Sequence, residues 1–458
     1  MTASPKTRWA KTVDAACIAY QDLGEGPVAM VIIPAWFSHL EVYWEEPHYA
    51  RFMRRLARNM RVLTFDKRGL GMSDRIHGAP GLEAQMDDVR AVMDAAGVER
   101  AALLGWGGFA SAPLAAFFAA TYPERAIALC IDGPVHARKS ADFPWGTSDD
   151  EEDEWTRNLM TTWGDEEFAT AFSAECFGER PADAPTNDPH FLSWLCRMAR
   201  FSATPVGIEA FEQIWFATDI RGILPGIQVP TIVLAHADDD DEERGVEQYA
   251  VEHIPGARLV EVQDSYYPVW MPDPENYVAT LEHFIDSVRH EEVELDRKLA
   301  TVLLTDIVGS TDKASQVGDT RWKDLLERHN TTVRAMLARY RGAEVKTTGD
   351  GFLATFDGPA RAVMCAHAIR EAVKPLGLEV RAGCHTGEIE LLGADVGGIA
   401  VHIGARVAAL AGPSEVLVSS TVKDLVAGSG LAFEDRGEHA LKGVPEKWRL
   451  YATAPAPD

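Results

Sequence analysis

The chain has 458 residues, 46% of them hydrophobic, and a formal net charge of −26. That length accommodates two or three domains, and the acidic balance argues against a general nucleic-acid binder, since no basic concentration is present to neutralise phosphates. The longest apolar run, Val28 to Phe37, is too short to span a bilayer. Met1 to Lys11 lacks the apolar core of a signal peptide. Cysteines 17, 130, 176, 196, 365 and 384 show no CxxC or CxxH spacing, which fits reduced thiols in a cytoplasm rather than a disulfide scaffold or a zinc site.

Residues 1–285 alternate strands with helices, the pattern of a mostly parallel sheet covered on both faces. Val28–Ile33, Arg61–Phe65, Ala101–Leu104, Thr231–Ala235 and Arg258–Val262 read as strands, and Pro113–Thr121 as a helix after a glycine-rich turn. Between Ala137 and Thr218 the strand pattern gives way to helical segments rich in tryptophan (145, 155, 163, 194, 215), a cap laid over the sheet. These rings are expected mainly as core, with some lining a cavity. Two acidic runs, Asp149–Glu154 and Asp238–Glu243, read as solvated loops, because neither has the glycine-containing twelve-residue calcium pattern. Residues 286–298 are charged and read as a short helical linker.

The remaining residues, 299–458, read as one α+β unit with a βαββαβ core. The expected order is strand 299–305, helix 319–341, hairpin 343–356, helix 359–374, strand 378–386, helix 398–411, strand 415–419 and a short helix. Within it, Asp306 ends an apolar strand and Asp350 sits in a Gly-Asp-Gly hairpin turn. Two carboxylates brought together by a sheet can hold a pair of divalent cations. The small, hydroxyl-rich turn after Asp306 can open a helix, whose free N–H groups bind phosphate. Asp350 alone would be a plain Asp-Gly turn; Asp306 in matching surroundings points instead to nucleotide chemistry.

Asp66-Lys-Arg-Gly-Leu-Gly-Met-Ser-Asp74 resembles the Asp-x-Arg-Gly-x-Gly-x-Ser segment of α/β-hydrolases, and the likeness covers roughly residues 15–285. That family's chemistry needs Gly-x-Ser-x-Gly on a strand-to-helix turn, then an acid and a histidine. Here the elbow reads Gly105-Trp-Gly-Gly-Phe-Ala-Ser111, which puts Gly107 or Phe109 at the nucleophile position. Tyr266 and Tyr267 occupy the histidine region, while Asp238 or Asp239 matches the acid. The resemblance therefore implies a catalytically empty frame that binds a small apolar molecule or docks a protein partner. A shifted triad of Ser111 with His236 or His253 is the residual route to an esterase or lipase.

Residues 298–458 resemble the catalytic domain of class III nucleotidyl cyclases, most closely the mycobacterial-type adenylyl cyclases. The likeness is carried by Leu304-Thr-Asp306-Ile-Val-Gly-Ser-Thr311, Val345-Lys346-Thr-Thr-Gly-Asp350-Gly, Arg381-Ala-Gly-Cys-His-Thr-Gly387, Asp395–Arg406 and Leu441-Lys442-Gly443. It implies that Asp306, Ile307 and Asp350 hold two Mg²⁺ or Mn²⁺ ions. It implies that Val308, Gly309, Ser310 and Thr311 cradle the phosphates of ATP. It further implies that Lys346 and Asp395 read adenine, that Arg406 stabilises charge on the transferring phosphoryl group, and that Lys442 contacts phosphate. His402 stands where the family has asparagine orienting the ribose; a histidine satisfied in the core is the structural alternative. The family's sites are shared between two chains, which implies a homodimer. The expected activity is cytoplasmic conversion of ATP to 3′,5′-cyclic AMP and pyrophosphate, regulated by the first domain. The alternatives are an esterase with an appended cyclase and a nucleotide-binding sensor without turnover.

Overall fold

Apolar, β-branched runs build an eight-stranded N-terminal sheet: β1 (Arg8–Lys11), β2 (Cys17–Leu23), β3 (Ala29–Ile33), β4 (Arg61–Phe65), β5 (Ala101–Trp106), β6 (Ala126–Asp132), β7 (Thr231–Ala235) and β8 (Arg258–Glu261). The computed structural model describes residues 4–454 except 77, 107–109, 178–187, 238, 263–268, 272, 289–296, 348, 393–394 and 445–446. The chain divides into two units, Met1–Glu294 and Leu295–Asp458. In the first, the strand order is β1-β2-β4-β3-β5-β6-β7-β8; pairing is antiparallel from β1 to β4 and parallel beyond.

Helices α1 (Leu40–Tyr43), α2 (Pro47–Leu56), α3 (Leu82–Ala95) and α4 (Ser111–Thr121) connect the first six strands. Every residue of α4 is buried, so it is apolar all round rather than amphipathic. Between β6 and β7 lie α5 (Asp149–Thr162), α6 (Glu166–Phe177), α7 (Pro189–Ser202) and α8 (Pro205–Ala217), the expected helical cap. Helices α9 (Asp241–His253) and α10 (Glu275–Val288) complete the unit.

The acidic runs differ from the expected loops. Asp149–Glu152 form the first turn of α5, where Ser148 and Glu151 make a capping box. Asp240 caps α9 by accepting from the Glu242 and Glu243 amides, and Asp241–Glu243 follow in the first turn. Carboxylates there meet unpaired N–H groups and the positive end of the helix dipole, which turns a charge run into a helix start. The expected linker is also shorter: residues 286–288 end α10, 297–298 begin the next strand, and 289–296 lie outside the described residues.

The second unit forms the sheet β10-β11-β9-β12-β14-β16-β15. Its elements are β9 (Arg297–Ile307), α11 (Ser310–Val317), α12 (Asp319–Arg339), β10 (Ala343–Thr347), β11 (Phe352–Phe356), α13 (Pro359–Val373), β12 (Val380–Leu392), β13 (Asp395–Gly397), α14 (Ile399–Leu410), β14 (Val416–Ser419), α15 (Ser420–Leu425), β15 (Ala432–Ala440) and β16 (Lys447–Ala454). The four strands β12-β9-β11-β10 give the ferredoxin-like core, with β14 to β16 added beside β12. Helix α14 crosses the sheet at glycines: a Cβ on Gly383 would meet the Ala408 backbone at 2.2 Å, and one on Gly404 would meet Val302 at 2.5 Å. This is the close approach that only glycine permits.

In the first unit, Asp66 is buried and accepts from Ser38 Oγ, the Leu40 amide and the Met72 amide, while Arg68 bridges Asp88 and Asp14. Lys67 between them is 1% exposed and has no ion-pair partner among the described residues; burial pushes its amine down to about 7. The folded state thus holds this proton less tightly than the unfolded chain does, and the penalty is full below pH 7 and relieved as pH rises toward the unfolded lysine value. Lys67→Met should raise the thermal midpoint of the first unit by ~5 °C or more at pH 6, and by less at pH 9. Calorimetric scans at the two pH values check both the sign and the ordering.

Candidate active site

Strand β9 sets the site. It pairs with β12 along its whole length, from Arg297 opposite Glu390 to Ile307 opposite Val380, and places Asp306 directly across from Arg381. The Arg381 guanidinium donates to Asp306 Oδ2 from Nε at 2.9 Å and from Nη2 at 2.5 Å. Both side chains are 35% exposed, so the carboxylate is reachable from solvent. On its other side β9 pairs with β11, Thr305 facing Phe352. Asp350 lies two residues before β11, in the turn next to the C-terminal end of β9. Gly349 takes φ +84°, the left-handed turn that presents Asp350.

The aspartates and the peptide oxygen of Ile307 are hard oxygen donors at one end of adjacent strands, the chemistry that Mg²⁺ and Mn²⁺ accept. Among the described residues no cluster of three or more His, Cys, Asp or Glu side chains is placed to hold a metal, so the candidate set relies on backbone oxygens and substrate as well.

Past Ile307, Val308 donates its amide to the Glu379 carbonyl at 2.9 Å, and Gly309 turns with φ +65° into α11. Ser310 and Thr311 open that helix, and no residue of it is buried. With the Val308 amide committed to Glu379, the amide donors this turn presents beside Asp306 are those of Gly309, Ser310 and Thr311, as a phosphate cradle requires.

Lys346 and Asp395 lie 49 positions apart in sequence and meet through a bidentate contact, Nζ to Oδ1 at 2.8 Å and to Oδ2 at 2.6 Å. The Lys346 contact holds the Asp395 carboxyl below its ordinary range, and the Val396 amide adds to this. A register shift between Glu344 and Lys346 locally breaks the β10–β11 ladder. On α14, His402 and Arg406 are four residues apart and both exposed. A histidine satisfied in the core is therefore excluded: its ring faces solvent on the side of the helix that carries Arg406. Arg406 Nε donates to the Lys442 carbonyl at 3.3 Å, and buried Leu441 anchors that segment.

Two residues had no assigned role in the sequence. Arg381 was visible only as part of a motif; its pairing with Asp306 is set by strand register across 75 positions. His329 on α12 is buried against Phe352, with ring centroids 5.9 Å apart. Burial lowers its basicity, while the Asp350 charge acts in the opposite direction. No periodic signal distinguishes it from a core residue.

In the first unit the nucleophile positions 107 and 109, Asp238, Tyr266 and Tyr267 lie outside the described residues. Ser111 is the first residue of α4, after Ala110 at φ +61°, and is fully buried. His236 Nε2 is 2.9 Å from Asp132 Oδ1, and Asp132 Oδ2 accepts from Tyr277 at 2.6 Å. His253 is tied to its own helix, 2.8 Å from the Tyr249 carbonyl and stacked on that ring. Asp239 accepts from the His236 amide; burial together with Asp239 pushes Glu247 up to about 9. The two candidate histidines are thus held by groups other than Ser111.

Residues 294–453 match the family model of the adenylate and guanylate cyclase catalytic domain. A putative adenylate cyclase of Rhizobium meliloti is 27% identical over 168 residues, 35% of this chain and 29% of that protein. The chain therefore spans under a third of the length of that relative. A bifunctional esterase/perhydrolase of Acinetobacter calcoaceticus is 25% identical over 238 residues, covering 50% of this chain and 80% of that protein. The structure of an esterase from Exiguobacterium antarcticum superposes with a TM-score of 0.52 at 18% identity, covering 61% of this chain and all of that one. The chain thus joins a unit of α/β-hydrolase fold to a catalytic domain of the class III adenylate and guanylate cyclase family.

Proposed function

We propose that the protein is a homodimeric adenylyl cyclase that converts ATP to 3′,5′-cyclic AMP and pyrophosphate, with its hydrolase-fold unit acting as a regulatory, ligand-binding module. The observation that carries the substrate choice is the Lys346–Asp395 contact, 2.6–2.8 Å between residues 49 apart. It presents a donor beside an acceptor. Adenine offers the matching N1 acceptor and exocyclic amine donor; guanine offers an N1–H and a carbonyl, which leaves both protein groups facing their own kind.

Within one site, Lys346 and Asp395 hold the base, and the turn that follows Val308 binds the triphosphate through the amides of Gly309, Ser310 and Thr311. His402 hydrogen-bonds the ribose, and Arg406 and Lys442 offset charge as the phosphoryl group transfers. The 3′-oxygen bonds to the α-phosphorus while the bond to the bridging β-phosphate oxygen breaks; pyrophosphate leaves and the 3′ proton passes to water. Mg²⁺ or Mn²⁺ bound at Asp306, Ile307 and Asp350 supplies Lewis acidity to the 3′-hydroxyl and neutralises phosphate charge.

Asp306 and Asp350 serve a site with Lys346, Asp395, His402 and Arg406 of the second copy. Support for this division comes from the pairings inside one chain. The base-reading pair and the Arg406–Lys442 contact form separately from Asp306–Arg381. Twofold symmetry then gives two equivalent sites. ATP as substrate and five described cysteines that are all free fit a cytoplasmic location, and among the described residues no helix is long and apolar enough to cross a membrane. Full burial of Ser111 weighs against the esterase reading.

Asp306→Ala should reduce cyclic AMP formation at least ~10³-fold while sedimentation still reports dimers. Mixing Asp306→Ala with Arg406→Ala chains should restore one working site per heterodimer; equal inactivity of the mixture would refute the shared site. Asp395→Ala should lower kcat/KM for ATP by ~10²-fold and narrow the ratio of ATP to GTP turnover, measured by separating the two cyclic nucleotides.

A further inference from the structure

The two carboxylates of the candidate metal set are held unequally. Asp306 receives two donations from Arg381, at 2.9 and 2.5 Å. Asp350, half-buried in the turn before β11, has no hydrogen-bond or ion-pair partner among the described residues. A carboxylate that ligates a metal is ordinarily steadied by a hydrogen bond to its outer oxygen, which fixes the oxygen that faces the ion.

A donor for that oxygen is at hand on α12. This helix buries one stripe, His329, Val333 and Leu337, at intervals of four residues. Val333 and Leu337 pack in the core with Phe352 and Phe356. His329 is the polar member of the stripe and is 0% exposed, at a position where an apolar side chain would pack as well. Its ring lies 5.9 Å from that of Phe352, two residues beyond Asp350. The Phe352 amide is pinned to Thr305 Oγ1 at 3.2 Å, beside Asp306. The imidazole is thus packed where the Asp350 turn enters the sheet. Nδ1 lies 3.1 Å from Asn330 Oδ1, and Nε2 has no partner among the described residues. Burial lowers the basicity of the ring, while the Asn330 contact and the Asp350 charge act against that. A fully buried nitrogen without a partner costs stability, so it calls for a role.

Resting on the reading of Asp306 and Asp350 as metal ligands, we propose that His329 is the positioning residue for Asp350, donating Nε2–H to the carboxylate oxygen turned away from the cation. Asn330 sets the tautomer: a half-turn of its amide brings N–H against Nδ1, which then accepts and leaves the proton on Nε2. A neutral donor suits this place. Asp306 already has a guanidinium, and a second full positive charge would cancel the field that draws divalent cations to the pair. A neutral imidazole fixes direction and leaves the charge of Asp350 for the metal.

Mn²⁺ binding to the full chain without nucleotide, followed by electron paramagnetic resonance, tests this. His329→Leu keeps a similar volume and removes the donor; His329→Gln keeps an N–H donor. His329→Leu should weaken Mn²⁺ binding about tenfold or more with no fall in thermal midpoint, and His329→Gln should stay within about threefold of the wild type. A packing role would give the reverse order, with leucine the better tolerated. Wild-type affinity in His329→Leu, or equal loss in both variants, would overturn the proposal. Asp350→Ala separates it from the reading beneath it. Mn²⁺ binding that is absent from the wild type, or unchanged in Asp350→Ala, removes the metal site and this inference together. Binding lost in Asp350→Ala but kept in His329→Leu removes only the role of His329. ¹⁵N resonances of histidine-labelled wild-type chain with Mg²⁺, assigned by difference from His329→Gln, need no leucine variant: the Nε2–H tautomer is expected at His329, and the Nδ1–H tautomer would overturn the donor assignment.

Discussion

The cyclase unit depends on the pairing of β9 with β12. Eleven residues of β9 are zipped to β12 on one edge while its C-terminal half is zipped to β11 on the other. Because successive strand residues alternate faces, a slip of one position would send Asp306 to the opposite side of the sheet and bury a charge among the residues around Leu303 and Ile307. The apolar positions of β9 thus hold the register, and the register holds the carboxylate. The same pairing supplies Arg381 as the counter-charge that keeps Asp306 in place.

Much of this was legible in the sequence. Alternation and glycine placement located the strands and the hairpin, and the carboxylates at strand ends marked the candidate site. What stayed hidden involves partners distant in the chain. The Asp306–Arg381 contact joins residues 75 positions apart and follows from sheet order, which no local pattern encodes; the Lys346–Asp395 pair, 49 apart, is reached from sequence only through the family resemblance. The acidic runs were misread for a local reason: charge density alone does not separate a loop from a helix start, whereas Ser148 with Glu151 and Asp240 with Glu243 do. His402 shows that a polar residue in an apolar helix is placed by phase; one step of 100° separates it from buried Ile403.

The N-terminal unit has an α/β-hydrolase fold, and a fold by itself does not fix a function. The strand-to-helix elbow keeps its tight geometry: a Cβ on Gly105 would sit 2.7 Å from Ala112 Cα, and Ala110 holds a left-handed conformation. Such strain ordinarily accompanies function. The frame packs around aromatic rings, and the buried lysine at its loop is a further cost with no ion pair among the described residues to offset it.

The glycine contacts beneath α14 have a mechanical meaning. With Gly383 against the Ala408 backbone and Gly404 against the Val302 and Leu304 side chains, the helix lies close to the sheet at two points. A helix seated this way resists displacement from the sheet. His402 and Arg406, four residues apart on that helix, keep a spacing fixed by helix pitch. Chemical variation at 402 is thereby decoupled from position: the helix presents whatever side chain stands there at the same height above the sheet.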